Sequence, residues 1–184
     1  ELKQYNSSLT VLIGKPIEIF PTLVKEYDIQ AVYCNRDYEP QAIARDREML
    51  NYFESLQIPF KAYKDQVIFD KSNILKNDGT PYTVYTPYAK KWKETLKTSH
   101  FSPVEMNLSN LFQQEFSEVP ALEKIGFEKT DVKFEKPILD AAIINDYDKY
   151  RDFPALQHTT QLGIALRFGT ISIRKCVGFA LHHN

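Results

Sequence analysis

Thr159 and Thr160 stand directly before an apolar run of helical spacing, Thr160 to Phe168. Hydroxyls in that position can cap the helix, and the free N–H groups and partial positive charge of a helix start also suit a phosphate or pyrophosphate. An ordinary Thr cap and an anion site are both open on these residues. Gly163, inside the run, is less favourable than Ala by roughly 0.5 to 1 kcal/mol and points to close backbone approach. A second group, Asn35-Arg36-Asp37-Tyr38-Glu39-Pro40, follows a short apolar run and crowds polar side chains into one loop. It reads equally as a capped lead into a helix and as a ligand site. Arg45 and Asp46 beside it read as a structural ion pair.

Other chemistries lose their residues. No GxGxxG, GxxxxGKS or GxSxG occurs, so the common phosphate loops and the nucleophile elbow are missing from the sequence. The histidines are His100, His158, His182 and His183, and none pairs with Cys34 or Cys176 at metal-ligand spacing. The two distant cysteines give no disulfide framework and suit a reducing, cytoplasmic setting. With 23 Lys and Arg against 24 Asp and Glu, any nucleic-acid site must be a local patch. No apolar stretch reaches the roughly 18 residues a membrane helix needs, so a soluble protein without a membrane partner is expected.

The 184 residues, 43% hydrophobic and 26% charged, suffice for a sizeable core. Leu9 to Ile13 is a β-branched apolar run closed by Gly14-Lys15-Pro16 and predicts a buried strand. Apolar residues from Ile17 to Tyr27 recur at helical spacing, and Ala31 to Cys34 predicts a second strand. Gln41 to Leu56 predicts an amphipathic helix with Ile43, Arg47, Leu50 and Phe53 on one face, and Phe60 to Tyr63 a third strand. Strands alternating with helices favour a parallel α/β sheet with its ligand crevice at the strands' carboxyl ends. Further on, the spacing predicts a strand over Tyr82 to Tyr85 and a helix over Tyr88 to Leu96 that carries Trp92. Residues 98–136 lose periodicity and read as a long connection with short helices at Leu108 to Phe116 and Pro120 to Ile125. Helices are expected over Ile138 to Tyr150, Thr160 to Phe168 and Ile171 to His182.

Several of these groups in order resemble the DNA photolyase and cryptochrome flavoproteins, over nearly the whole chain. Asn35 to Pro40 with Arg45-Asp46 is similar to the family's N-x-x-[YI]-E-P stretch and its later Arg-Asp. Lys64 to Phe69, and Pro81 to Tyr88 with Trp92, resemble the end of the family's antenna domain. Arg151-Asp152-Phe153-Pro154, Thr159 to Gly163 and Leu166 to Ser172 resemble the flavin-phosphate segment, T-S-x-L-S followed by L-x-x-G-x-[IL]-S.

The resemblance implies an incomplete Rossmann-like α/β antenna domain over 1–97, a connection over 98–136 and the start of an all-helical FAD-binding domain over 137–184. The implied activity is light-driven repair of pyrimidine dimers in damaged DNA by an electron from reduced FAD, a deoxyribodipyrimidine photo-lyase reaction. A cryptochrome-type blue-light receptor and a plain α/β ligand-binding domain are the alternatives. By the same resemblance Tyr147 and Thr159, Thr160, Gln161, Leu162 and Gly163 face the flavin phosphates, and Arg151 faces DNA, with pairing to Asp152 as its rival role. Asn35 and Arg36 match the antenna-contacting pair, but folate-binding members carry glutamate where Arg36 stands; folate, a deazaflavin, FMN or an empty site stay open. Thr160 keeps the hydroxyl of the usual serine, whereas Gly163 lacks one. Family members also begin with two further strands and continue for some 200 more residues, a rough family figure. The chain, which opens without methionine or signal segment, is therefore expected to be a processed form or a piece of something longer. Alone it should neither hold FAD tightly nor repair DNA, and it should self-associate through exposed sheet edges.

Overall fold

The computed structural model describes residues 2–183, which form two compact units, each with its own packing. The first unit comprises Glu1–Ala62 and Val104–Phe134, the second Tyr63–Pro103 and Glu135–Asn184.

In the first unit the order is α1 (Pro16–Glu26), β1 (Val32–Asn35), α2 (Pro40–Ser55) and β2 (Phe60–Tyr63). Both helices start on proline, whose fixed φ suits the first helical position and whose missing N–H would have no intrahelical acceptor there. β1 pairs with β2, and the connecting α2 is the crossover that a parallel pair requires. One sheet face is buried: Val32 packs with Met49 and the fully buried Phe53, ringed by Ile17, Phe20, Val24, Ile29, Tyr52, Ile58 and Phe60. Phe53 meets Phe20 edge-on at 5.1 Å and stacks on Phe60 at 5.9 Å. The buried residues of α2 are Ala42, Met49 and Phe53, while Ile43 and Arg47 face solvent. The predicted apolar stripe is thus rotated about the one residue both readings share.

Leu9 to Ile13 is a correction: no ladder forms there, and Leu9 and Ile13 are 57% and 63% exposed. A strand exists only where a neighbour completes its hydrogen bonds, and among the described residues none lies beside it. The preceding residues are instead tied to the long connection. Gln114 N–H donates to the Asn6 carbonyl at 3.0 Å, Ser117 N–H to Ser8 Oγ at 2.9 Å, and Ser8 Oγ–H to the Ser117 carbonyl at 3.0 Å. Within the connection, the helix expected over Leu108 to Phe116 contracts to a 3-10 turn at Leu108–Asn110, and the second appears as one at Leu122–Ile125. Residues 111–119 spend their polar groups on this docking rather than on a helix.

The second unit holds α3 (Tyr85–Thr95), α4 (Ala141–Asn145), α5 (Tyr147–Tyr150), α6 (Gly163–Arg167) and α7 (Ile173–His183). The predicted strand over Tyr82 to Tyr85 is absent; the chain there is irregular and Tyr85 already opens α3. Tyr82 instead meets Tyr88 edge-on at 6.3 Å. The helix expected over Ile138 to Tyr150 is broken at Asp146 into α4 and α5. Phe69 packs edge-on against both Trp92, at 5.4 Å, and His100, at 4.9 Å, and Phe101 lies against Gly178 of α7. Among the described residues no helix is long and apolar enough to cross a membrane.

Candidate functional site

Two groups of sequence-predicted residues occupy different units. In the first, Asn35 ends β1 and Arg36 follows, with Arg36 Nη2 donating to the Ala62 carbonyl of β2 at 3.1 Å. The guanidinium thereby ties the loop to the neighbouring strand. Asp37 Oδ1 then accepts from Tyr38 N–H at 2.6 Å and Glu39 N–H at 3.3 Å, a local turn that delivers the chain to Pro40. Polar side chains at this strand end therefore shape the entry to α2. Arg45 grips Asp46 through Nε and Nη2 at 2.9 and 2.7 Å, the ion pair the sequence suggested. Around them the Cys34 thiol is held above its ordinary pKa by burial first, then by Asp46, against opposing pulls from Arg45 and Arg36.

In the second unit, Tyr147 opens α5 and Arg151 closes it, Arg151 N–H donating to the Tyr147 carbonyl at 2.9 Å. The Arg151 guanidinium lies 3.7 Å from the Asp152 carboxylate with both groups largely exposed, so the pairing is a loose surface one. Tyr150 stacks on His158 at 4.3 Å, which brings the end of α5 against the residue before Thr159. The aromatic pair joins the Tyr147–Arg151 turn to the Thr159–Gly163 segment. Neither residue was among the predicted set, and their eight-residue separation carries no periodic signal.

The predicted Thr cap is not formed. Leu162 occupies the N-cap of α6 with no side-chain hydrogen bond to the helix, and Thr159 and Thr160 lie further upstream. Gln161, with φ of +48°, turns the backbone between them and the helix. The hydroxyls are thus displaced from the capping position, and the first amides of α6 take no side-chain acceptor. At Gly163 an added Cβ would meet no heavy atom within 4 Å, so the backbone there is openly approachable. Leu162 and Ala165 are the buried residues that anchor the turn.

A further polar contact lay outside sequence reach. Arg174 near the start of α7 donates through Nη1 to Asp65 Oδ1 at 2.6 Å and through Nη2 to the Lys64 carbonyl at 3.3 Å. Gln66, Leu166, Gly169, Ile171 and Ser172 complete a depression of about 320 Å³ beside this pair. A sequence separation of 109 between Asp65 and Arg174 leaves no local spacing to detect. Among the described residues no cluster of three metal-binding side chains occurs.

Comparison with known proteins gives the family and the fold. The family model for DNA photolyase matches residues 1–107. A deoxyribodipyrimidine photo-lyase of Synechococcus sp. is 33% identical over 94% of this chain and 39% of its own length. The corresponding protein of Halobacterium salinarum is 26% identical over 94% and 38%. A (6-4) DNA photolyase of Arabidopsis thaliana is 24% identical over 94% and 35%. Among solved structures, a class III photolyase from Agrobacterium tumefaciens superposes with a TM-score of 0.74 at 20% identity, covering 96% of this chain and 42% of its own, which establishes the fold. The chain spans about two fifths of the length of the relatives it matches. It belongs to the DNA photolyase family.

Proposed function

We propose that the chain is part of a deoxyribodipyrimidine photo-lyase, a carbon–carbon lyase that uses light and reduced FAD to split pyrimidine dimers in damaged DNA. The observation that carries this reading is the 33% identity to a protein of that name across 94% of the chain. In this reading residues 1–97 are the antenna domain, 98–136 the connection and 137–184 the start of the FAD-binding domain, and the protein works in the cytoplasm.

The Thr159–Gly163 segment fits a flavin diphosphate on one structural ground: no heavy atom lies within 4 Å of where a Cβ at Gly163 would stand, which leaves room for an anion and its hydrogen-bond donors. Thr159 and Thr160 then supply hydroxyls, and Gln161, Leu162 and Gly163 supply backbone N–H groups. Tyr147 opens the turn whose last residue, Tyr150, stacks on His158 next to this segment. Arg151, largely exposed and only loosely paired, is free to meet a DNA phosphate. The chemistry a bound flavin supplies is light-driven one-electron transfer. In this reading Asn35 and Arg36 border an antenna site, whose pigment is folate, a deazaflavin or FMN. Exposed strand edges in the first unit give the chain a tendency to self-associate.

The test is an absorption spectrum from 300 to 500 nm, a range set roughly by flavin and folate absorption, on the purified full-length protein of which this chain is a part. It is paired with blue-light repair of an ultraviolet-irradiated oligonucleotide. Flavin bands with light-dependent loss of dimers support the reading. Flavin without repair favours the cryptochrome function, and a colourless protein without repair overturns both.

A further inference from the structure

Every residue from Arg151 to Gln157 is exposed, and one pair of rings closes this loop at its two ends. Tyr150 and His158, both half-buried, stack with ring centroids 4.3 Å apart and planes inclined by 24°. Inside the loop, Phe153 N–H donates to the Tyr150 carbonyl and Leu156 N–H to the Phe153 carbonyl, each at 3.0 Å. These turns shape the first half of the loop and stop at Leu156. Among the described residues, 157–161 make no backbone hydrogen bond. The next anchored position is Leu162, buried at the start of α6 together with Ala165 inside it.

Thr159, Thr160 and Gln161 are therefore suspended between two anchors, the His158 ring and the Leu162 side chain. Gln161 adopts φ of +48°, a left-handed conformation that a non-glycine residue keeps where its neighbours fix it. Without the stack, the chain from Gln157 to Gln161 would keep neither a ring contact nor a backbone hydrogen bond, and its N–H groups and hydroxyls would sample many directions. A segment ordered in advance loses less freedom on binding than one that its ligand must order. The stack engages the faces of the two rings, so its effect on the segment needs neither the imidazole nitrogens nor the phenol hydroxyl.

We infer that Tyr150 and His158 are positioning residues for the flavin phosphates: their stack closes the 151–157 loop and preorganises Thr159 to Gly163 without itself touching the ligand. The inference rests on the reading of that segment as a phosphate site and adds to it the pair that holds the site in shape. It also fixes which rate responds. When a ring is lost, only the fraction of molecules with the segment in place accepts FAD, so the loss falls on association, while the complex once formed dissociates at an unchanged rate.

The test is stopped-flow binding of FAD to the cofactor-free full-length protein of which this chain is a part, with hydrogen exchange over residues 157–162 read on the same samples before FAD is added. H158A and Y150A should each slow association roughly three- to tenfold, the worth of one aromatic pair, and leave dissociation unchanged. H158A/Y150A should be no slower than either single variant, because the two residues act as one contact. H158F and Y150F, which keep the ring faces, should associate at the wild-type rate. Exchange over 157–162 should be faster in the alanine variants, with exchange over α3 unchanged. A wild type that takes up no FAD overturns the phosphate-site reading and this inference with it. A wild type that takes up FAD while H158A matches its association rate or its exchange overturns the inference alone. Slowing in H158F equal to that in H158A also overturns it, in favour of a direct hydrogen bond from the His158 ring to the ligand.

Discussion

At the scale of single residues, burial and chemistry make separable claims. Phe53 has rings or aliphatic groups on every side, so Phe53→Ala leaves a cavity the sheet cannot close; a loss of about 3 to 5 kcal/mol in urea unfolding is expected. Gly163 is the opposite case, because nothing lies near its missing Cβ. Gly163→Ser should change stability by no more than about 0.5 kcal/mol, and in a flavin-loaded protein should slow flavin release by adding the hydroxyl other family members carry. Unfolding and flavin dissociation measured on the same variant separate the two effects. Cys34 gives a pH dependence whose sign follows from its surroundings. Burial holds its thiol above the ordinary value, so the folded chain keeps that proton over a range where the unfolded chain has lost it. The contribution is therefore complete below about pH 8.5 and declines as pH rises through the higher folded value. The stability difference between wild type and C34S should fall above that pH and stay flat below it. Arg45→Gln removes a cation that lowers the thiol pKa, so alkylation of Cys34 by iodoacetamide should become slower at pH 8 to 9, about the ordinary thiol range.

Elements raise the question of what one stretch of chain can know about another. The Arg174 contact with Asp65 and the Lys64 carbonyl joins the start of α7 to a loop 109 residues away, within the second unit. Its groups are partly exposed, so a double-mutant cycle of R174A and D65A should return a coupling of only about 0.5 to 1 kcal/mol. Additive losses in thermal unfolding would show that the two residues act independently. This contact marks the limit of sequence reading. α2 and β2 were legible because their signals are local: Pro40 starts the helix, Phe53 faces inward, and Phe60 to Tyr63 alternates. Leu9 to Ile13 carries an equally strong strand composition and forms none, because pairing depends on a neighbour that composition cannot supply. Tyr82 to Tyr85 failed for the reverse reason, since the helix signal of Tyr88 to Leu96 extends back to Tyr85 and overrides it. At the candidate phosphate segment the residue types were legible but their geometry was not. The positive φ of Gln161, which carries the threonines away from the cap, has no counterpart in spacing.

For the whole molecule the governing facts are a small sheet and a near-neutral surface. Two strands alone are marginally stable in water, and among the described residues the sheet consists of β1 and β2. Leu9, Val11, Leu12 and Ile13 add an exposed apolar segment, and no charged residue lies between Lys3 and Lys15 to discourage pairing. A net charge of −1 supplies little long-range repulsion between copies. The expected outcome is reversible association at tens of micromolar, on the order of that for weak strand-edge pairing, seen as a mass that falls toward 21.4 kDa on dilution in light scattering. Leu12→Lys places a charge in the middle of the segment and should shift the chain to monomer at the same concentration. Its fold should persist because Leu12 is half exposed and lies outside the Val32, Met49 and Phe53 core. A mass of 21.4 kDa at every wild-type concentration would show that the segment is satisfied within one chain. Salt separates this association from attraction between units of opposite charge in neighbouring copies, the first with 10 Lys and Arg against 15 Asp and Glu and the second with 13 against 9, because added salt weakens contacts between opposite charges and leaves apolar strand pairing largely intact.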